Sequence, residues 1–331
     1  MWNLSELGFW AWFWLVVIPL FLLVNVKGLL GVYHIRIFHA LFNHLIFNRS
    51  RRVNVARHGA DALFQPIVTT SRSPLLECDF NGHKSNSTFY SDLDANRMHL
   101  FGALFKDVLS PEKRQATSSE PLAKLRLALG GVSCTFKREI KPYEKYQIWS
   151  RVLSWDEKWV YIVSYFVRNG AVLPQGYTLQ PSRINSAGKR GKNRSSDDVG
   201  KAIFASAISK YVFKQGRRTI PPEQVFESIN LLPQQPGSAH EASTATASNG
   251  QSTTPSRVIN GGTVRHEGNG SQIKPSSTLV DECQWDWKRV QEEKQRGFGI
   301  ASHFASLDEL HVLPILPTAN ALGNFDGVGF Y

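Results

Sequence analysis

Residues 77–97, ECDFNGHKSNSTFYSDLDANR, bring four acids, a glycine, a histidine and three asparagines together just ahead of an apolar run. Beyond them Phe89, Leu93, Leu100, Leu104 and Val108 recur at helical spacing, which predicts one buried face of a helix over residues 87–108. Ser85, Asn86 and Ser87 stand where a first-turn cap belongs, and Gly82 allows a sharp turn before it. Read as a strand, the residues ahead of the turn put Leu75, Glu77 and Asp79 on one face and Leu76, Cys78 and Phe80 on the other. Two carboxylates would then share a face beside a helix N-terminus, whose unpaired N–H groups can hold a developing oxyanion. Such an acid can activate water or attack a carbonyl directly. The competing reading makes Asp79 and Asn86 turn and capping residues.

The segments that follow the predicted helix are strand-like. LRLALGGVSCTFKREI, YQIWSRVLSW and WVYIVSYFV come in succession, with Asp156, Glu157 and Lys158 as a hairpin turn between the last two. Gly130 and Gly131 mark a bulge or a close backbone approach, and KAIFASAISKYVF supplies a final strand over residues 201–213. A long helix followed by antiparallel strands predicts an α+β domain, one helix packed against a curved sheet.

At the N-terminus, GFWAWFWLVVIPLFLLVNV with Leu7 gives roughly 20 residues without a charge, which is about what a bilayer core requires. Glu6 ahead of the run, with no Lys or Arg there and no small-residue cleavage site behind it, favours a retained anchor over a signal peptide. Lys27, Arg36, Arg49, Arg51, Arg52 and Arg57 follow the run, so the positive-inside rule places the rest of the chain in the cytosol. Ile35, Phe38, Phe42 and Leu45 then recur at helical spacing, either as an interfacial helix on the membrane or as a helix packed on the domain.

Charge and cysteine content exclude other classes. The 331-residue chain carries a net charge of +11, but its basic residues are spread over juxtamembrane and loop segments, which argues against nucleic acid as a partner. Cys78, Cys134 and Cys283 have no metal-ligand or redox spacing, so no disulfide framework, metal or cofactor is implied. The basic stretch RINSAGKRGKNRSSDDVG within residues 181–200 reads as a solvated loop or, alternatively, a phosphate- or membrane-binding one. Residues 233–280 have the composition of a disordered linker, and residues 281–310 read as an amphipathic helix with Trp287, Val290, Phe298, Ala301 and Phe304 as its apolar contacts.

The order E-C-D-F-N-G-H-K-S-N-S-T-F from Glu77 to Phe89 resembles the D-x-D-x-x-G-H-x-N-N-x-x-Y signature of hotdog-fold thioesterases of the 4-hydroxybenzoyl-CoA type. RVLSWDEKWVYIVSYFV, residues 151–167, looks like a hairpin of the membrane-anchored group around thioesterase superfamily member six and its fungal thioesterase-like relatives. On that resemblance the catalytic acid falls on Glu77, the second acid on Asp79, and the Gly-His pair on Gly82 and His83. The Asn pair falls on Ser85 and Asn86, and the tyrosine on Phe89.

The resemblance implies a hotdog fold, a five- or six-stranded antiparallel sheet around the central helix, and a homodimer acting on acyl-CoA or a related acyl-thioester. Glu77 or Asp79 would activate water or attack, and N–H groups over residues 82–86 would polarise the carbonyl. His83 is either a base or a residue that orders the turn. The expected organisation is a membrane anchor over residues 1–28, a basic juxtamembrane segment over 29–58, a hotdog domain over 59–232 with its insertion at 181–200, the linker, the helix, and a tail over 311–331. The expected location is an internal membrane such as the endoplasmic reticulum, with the domain facing the cytosol. A catalytically inactive acyl-binding or scaffold protein is the alternative.

Overall fold

The computed structural model describes residues 4–47, 50–51, 53, 55–109, 125–174, 176–180, 200–233 and 285–311, the side chains of 4–7, 9, 56–57 and 309–311 aside. The linker expected over 233–280, its first residue aside, almost all of the 181–200 insertion and nearly all of the tail lie outside the described residues. In chain order the elements are α1 (Leu4–Val24), α2 (Val32–Phe42), the short α3 (Val55–His58), β1 (Ile67–Arg72), α4 (Asn86–Leu109), β2 (Leu125–Phe136), β3 (Lys145–Trp155) and β4 (Val160–Arg168). They continue with β5 (Ile203–Gln215), β6 (Arg218–Ile220), α5 (Pro222–Ser228) and α6 (Trp287–Ala305).

The strands form one six-stranded antiparallel sheet in the order β1-β3-β4-β5-β2, with β6 paired to β5. β1 and β2 are the outer strands, and Asp156 closes the β3–β4 hairpin by accepting from the Lys158 and Trp159 amides. The register shifts between Leu129 and Gly131, where the predicted bulge falls. The ring of Trp159 lies against Gly130 so closely that an added Cβ would collide with it.

α4 is 24 residues long, and the predicted stripe is its buried face. Leu100, Phe101, Leu104, Phe105 and Val108 pack on Val152, Trp155, Val160, Ile162, Tyr211 and Phe213. Phe89 and Leu93 pack on Tyr146, Ile148, Phe166 and Phe204. Each such buried side chain contributes about 1.5–3 kcal/mol, so these contacts hold α4 to the sheet. The opposite face of the sheet is covered by α6, through Leu153, Tyr161, Val163, Ala301 and Phe304. A strand covered on both faces needs apolar residues on both, which is why VYIVSYFV in β4 does not alternate with polar residues. Gly297 permits the close approach of α6, since a Cβ there would collide with the Leu153 carbonyl, and Ser154 Oγ donates to Lys294 O at 2.7 Å.

The N-terminal expectation is not met by the described residues, among which no helix is long and apolar enough to cross a membrane. The contiguous described side chains of α1 run from Trp10 to Val24, about 22 Å of helix. They are nonetheless apolar and open, with Trp12 at 70% and Leu23 at 69% exposure. α2 lies on α4, with Tyr33 Oη donating to Asp94 at 3.1 Å and Ala40 buried, while its stripe of Ile35, Phe38 and Phe42 faces outward. Packing on the domain and presenting an apolar stripe are therefore both true of this helix.

Candidate active site

The predicted same-face strand does not form. Leu75–Glu77 is a 3-10 turn, because Pro74 O accepts from Glu77 N and Leu75 O from Cys78 N. The turn sends Glu77 into the protein and leaves Asp79 at the surface loop, so the two acids part instead of pairing. Asp79 organises that loop. Its N–H donates to His83 O at 2.9 Å, its carbonyl accepts from Gly82 N at 3.0 Å, and its Oδ1 accepts from Asn81 N at 2.9 Å. Gly82 adopts φ +76°, a conformation costly to a residue with a Cβ.

His83 Nδ1 lies 3.6 Å from Asp79 Oδ1, with both side chains partly exposed. Lys84 N donates to Ile140 O and Ser85 N to Glu77 O, so these two amides are consumed internally, as is that of Gly82. The resemblance implied carbonyl-polarising N–H groups over residues 82–86, and of these the structure occupies the Gly82, Lys84 and Ser85 amides. Asn86 and Ser87, as the first residues of α4, have no carbonyl a turn earlier within the helix to accept from them. Ser85 Oγ is 3.0 Å from Ser87 Oγ, and Phe89 is buried edge-on to Phe166 and Phe136.

Behind the loop sits a charge network that sequence reading missed. Glu77 Oε2 accepts from Lys27 Nζ at 2.7 Å and from Lys84 Nζ at 2.8 Å. Asp92, inside α4, is fully buried. It is 3.0 Å from both ammonium groups, 2.7 Å from Arg36, and accepts from Tyr146 Oη. Its position follows from periodicity, since Asp92 shares with Phe89 and Leu93 the face turned to the sheet.

Burial alone would raise the Asp92 pKa, but Lys27, Lys84, Arg36 and the Tyr146 hydroxyl outweigh it and hold the carboxyl well below its usual range. Burial lowers the Lys27 pKa against the pull of Asp92 and Glu77, and burial followed by Asp92 raises that of Tyr146 well above 10. Two buried carboxylates thus face three cations. Glu77, buried and held by two ammonium groups, is built to anchor charge, whereas the Asp79 side chain is partly exposed and open to a reactant.

Lys27 follows α1 directly, and its neighbours fix it in place. Asn25 is fully buried, donates to Tyr143 Oη at 3.2 Å and accepts from Leu76 N at 3.2 Å. No group of His, Cys, Asp or Glu among the described residues is arranged to hold a metal ion.

Comparison with known proteins gives the family of the chain. A profile described as thioesterase-like superfamily matches residues 74–187, a span that includes the Asp79 loop. Over 302 residues, 90% of this chain and 86% of the other, the sequence is 38% identical to the thioesterase poxG of Penicillium oxalicum. The chain belongs to the thioesterase-like superfamily. It is also 36% identical over 322 residues, 92% of this chain and 90% of the other, to "Probable thioesterase atnL" of Emericella nidulans. A probable thioesterase of Saccharomyces cerevisiae is 28% identical over 218 residues, 64% of this chain and 77% of the other.

In this thioesterase-like protein the antiparallel sheet wrapped on α4 is the hotdog arrangement, with α6 added to its outer face. The matches to the two longer relatives extend far beyond residues 74–187, so likeness is not confined to the motif.

Proposed function

We propose that this protein hydrolyses the thioester of an acyl-CoA or a related acyl carrier at a membrane. The observation that carries this reading is the position of Asp79, a half-buried carboxylate in the loop that leads into α4, with His83 3.6 Å away. The thioester carbonyl would lie over the Asn86 and Ser87 amides. Asp79 would take a proton from water as its oxygen attacks the carbonyl carbon, and the C–S bond would break as the proton passes to the departing thiolate. Direct attack by the Asp79 carboxylate, followed by hydrolysis of the anhydride, uses the same groups. Membership of a family whose relatives are named thioesterases supports hydrolysis over other uses of the corner.

Association with a membrane is supported by the exposed apolar side chains of α1 and by the outward stripe of α2, and a cytosolic side for the domain by the run of Lys and Arg that follows α1 in the sequence. A homodimer is supported by the 12-residue edge strand β2, whose outer side pairs with no strand among the described residues.

A second reading, an acyl-binding scaffold without turnover, is favoured by Glu77 being locked between two lysines and by Phe89 being buried where the family pattern has a tyrosine. Thiol release from a panel of acyl-CoAs by the full chain in phospholipid vesicles separates the two. Turnover is expected, and its absence across the panel overturns the hydrolytic reading.

A further inference from the structure

The loop that carries Asp79 also carries the most exposed aromatic side chain of the described domain. Phe80 is 97% exposed at its tip, and Leu75 and Leu76, just ahead of the loop, are each 47% exposed. None of the three is required by the turn, which is made by Asp79 and Gly82. An apolar tip held by a rigid polar loop costs stability in water, so it calls for something to cover it.

The same end of the molecule receives α1. Leu76 N donates to Asn25 Oδ1 at 3.2 Å, and a Cβ at Gly28 would stand only 2.7 Å from that of Leu76, so the turn after α1 and the turn before the loop are pressed together. The turn after α1 adds its own apolar surface, with Val26 at 50% exposure and Leu30 completely open. Exposed cations flank the patch. Arg72 and Lys145 face each other in register at the end of β1 and the start of β3, and Lys141 lies in the adjoining turn, which carries Tyr143. An apolar centre with a rim of lysine and arginine is the pattern of a surface that sits at the headgroup boundary of a bilayer.

The geometry points to a lipid surface as the occupant: Val26, Leu30, Leu75, Leu76 and Phe80 form a membrane-contacting patch continuous with α1, which seats the Asp79 loop on the bilayer. This rests on the membrane association proposed above and adds the orientation. An acyl chain dissolved in the membrane would then meet Asp79 and the start of α4 without crossing water. Phe80 would enter the acyl layer beside the reacting group instead of entering the protein core. The exposed apolar surface of α1 decides for lipid over a second copy of the chain, because the patch and that helix join without a break.

The test places the photo-crosslinking residue p-benzoylphenylalanine at position 80, and at Ile300 on the exposed side of α6 as a control. The full chain is incorporated into vesicles of phosphatidylcholine and phosphatidylserine, floated on a gradient and irradiated. The expected result is a covalent lipid adduct at position 80 and none at position 300. A cross-linked dimer, or the absence of a lipid adduct in protein that floats with the vesicles, overturns the patch while leaving membrane association standing. Protein that does not float overturns the membrane reading and the patch with it.

Discussion

Lys27 Nζ lies 2.7 Å from Glu77 Oε2, so the turn that ends the N-terminal apolar helix supplies a cation to the carboxylate behind the candidate active loop. The N-terminal segment is thereby part of the domain. Its charge is needed because Glu77 and Asp92 are both buried beside it.

Replacing Lys27 with Met keeps the length of the side chain and removes that charge. Lys84 and Arg36 remain, so the acids are under-compensated but not abandoned, and the loss of stability should be about 2–4 kcal/mol. Lys27→Arg should recover most of it. Chemical denaturation of the full chain in detergent measures both, and a Lys27→Met protein as stable as the parent contradicts the role given to Lys27.

Acid should weaken the protein in two stages. Burial pushes the pKa of His44 down to about 4 and that of His99 down to about 4, from an ordinary value near 6.5. The unfolded chain therefore binds more protons than the folded one between about pH 6.5 and 4, and stability present above that window is lost on passing down through it. Discounted for partial exposure, the effect is about 1–3 kcal/mol per histidine. Asp92, whose folded pKa is depressed, contributes stability that is complete above its unfolded value near 4 and disappears only below it. In a melting series against pH, His99→Gln should flatten the upper stage and Asp92→Asn the lower one.

Gly297 brings α6 onto β3, and a methyl group there would meet the Leu153 carbonyl. Gly297→Ala should destabilise the docked helix by about 1–3 kcal/mol and make it a target for limited proteolysis, while the sheet and α4 stay protected. Equal protease resistance in the two proteins would show that the contact does not hold α6.

Gly82 at φ +76° sets the loop that presents Asp79. Gly82→Ala should cost about 1–2 kcal/mol in backbone strain and lower turnover by displacing the Asp79 carboxylate. A loss of turnover without any loss of stability would mean that the loop relaxes without strain.

The hotdog core was legible in the sequence because it depends on periodicity. Phe89, Leu93, Leu100, Leu104 and Val108 mark a helical face, the strands are dense in β-branched and aromatic residues, and Gly130 and Gly131 sit at the bulge. Local alternation misled at Glu77, where the tight turn started by Pro74 breaks the two-residue period and sends neighbouring acids different ways. The charge network was hidden for another reason. Lys27, Glu77, Asp92 and Tyr146 are brought together across as many as 119 positions of chain, and no local pattern records such a meeting. Asp92 alone left a trace, standing among the buried positions of the stripe. The amphipathic pattern of α6 was legible in its apolar residues, but its docking on the outer sheet face follows from Gly297 and the Leu153 carbonyl, a fit visible only in three dimensions.

The most direct test compares Asp79→Asn with the parent protein, using thiol release from acyl-CoA by the full chain in vesicles. Because Asp79 is the open acid and Glu77 the sealed one, Asp79→Asn should lower kcat by at least about 100-fold with KM little changed and the melting transition nearly retained. Parent turnover that survives Asp79→Asn undiminished would contradict the account.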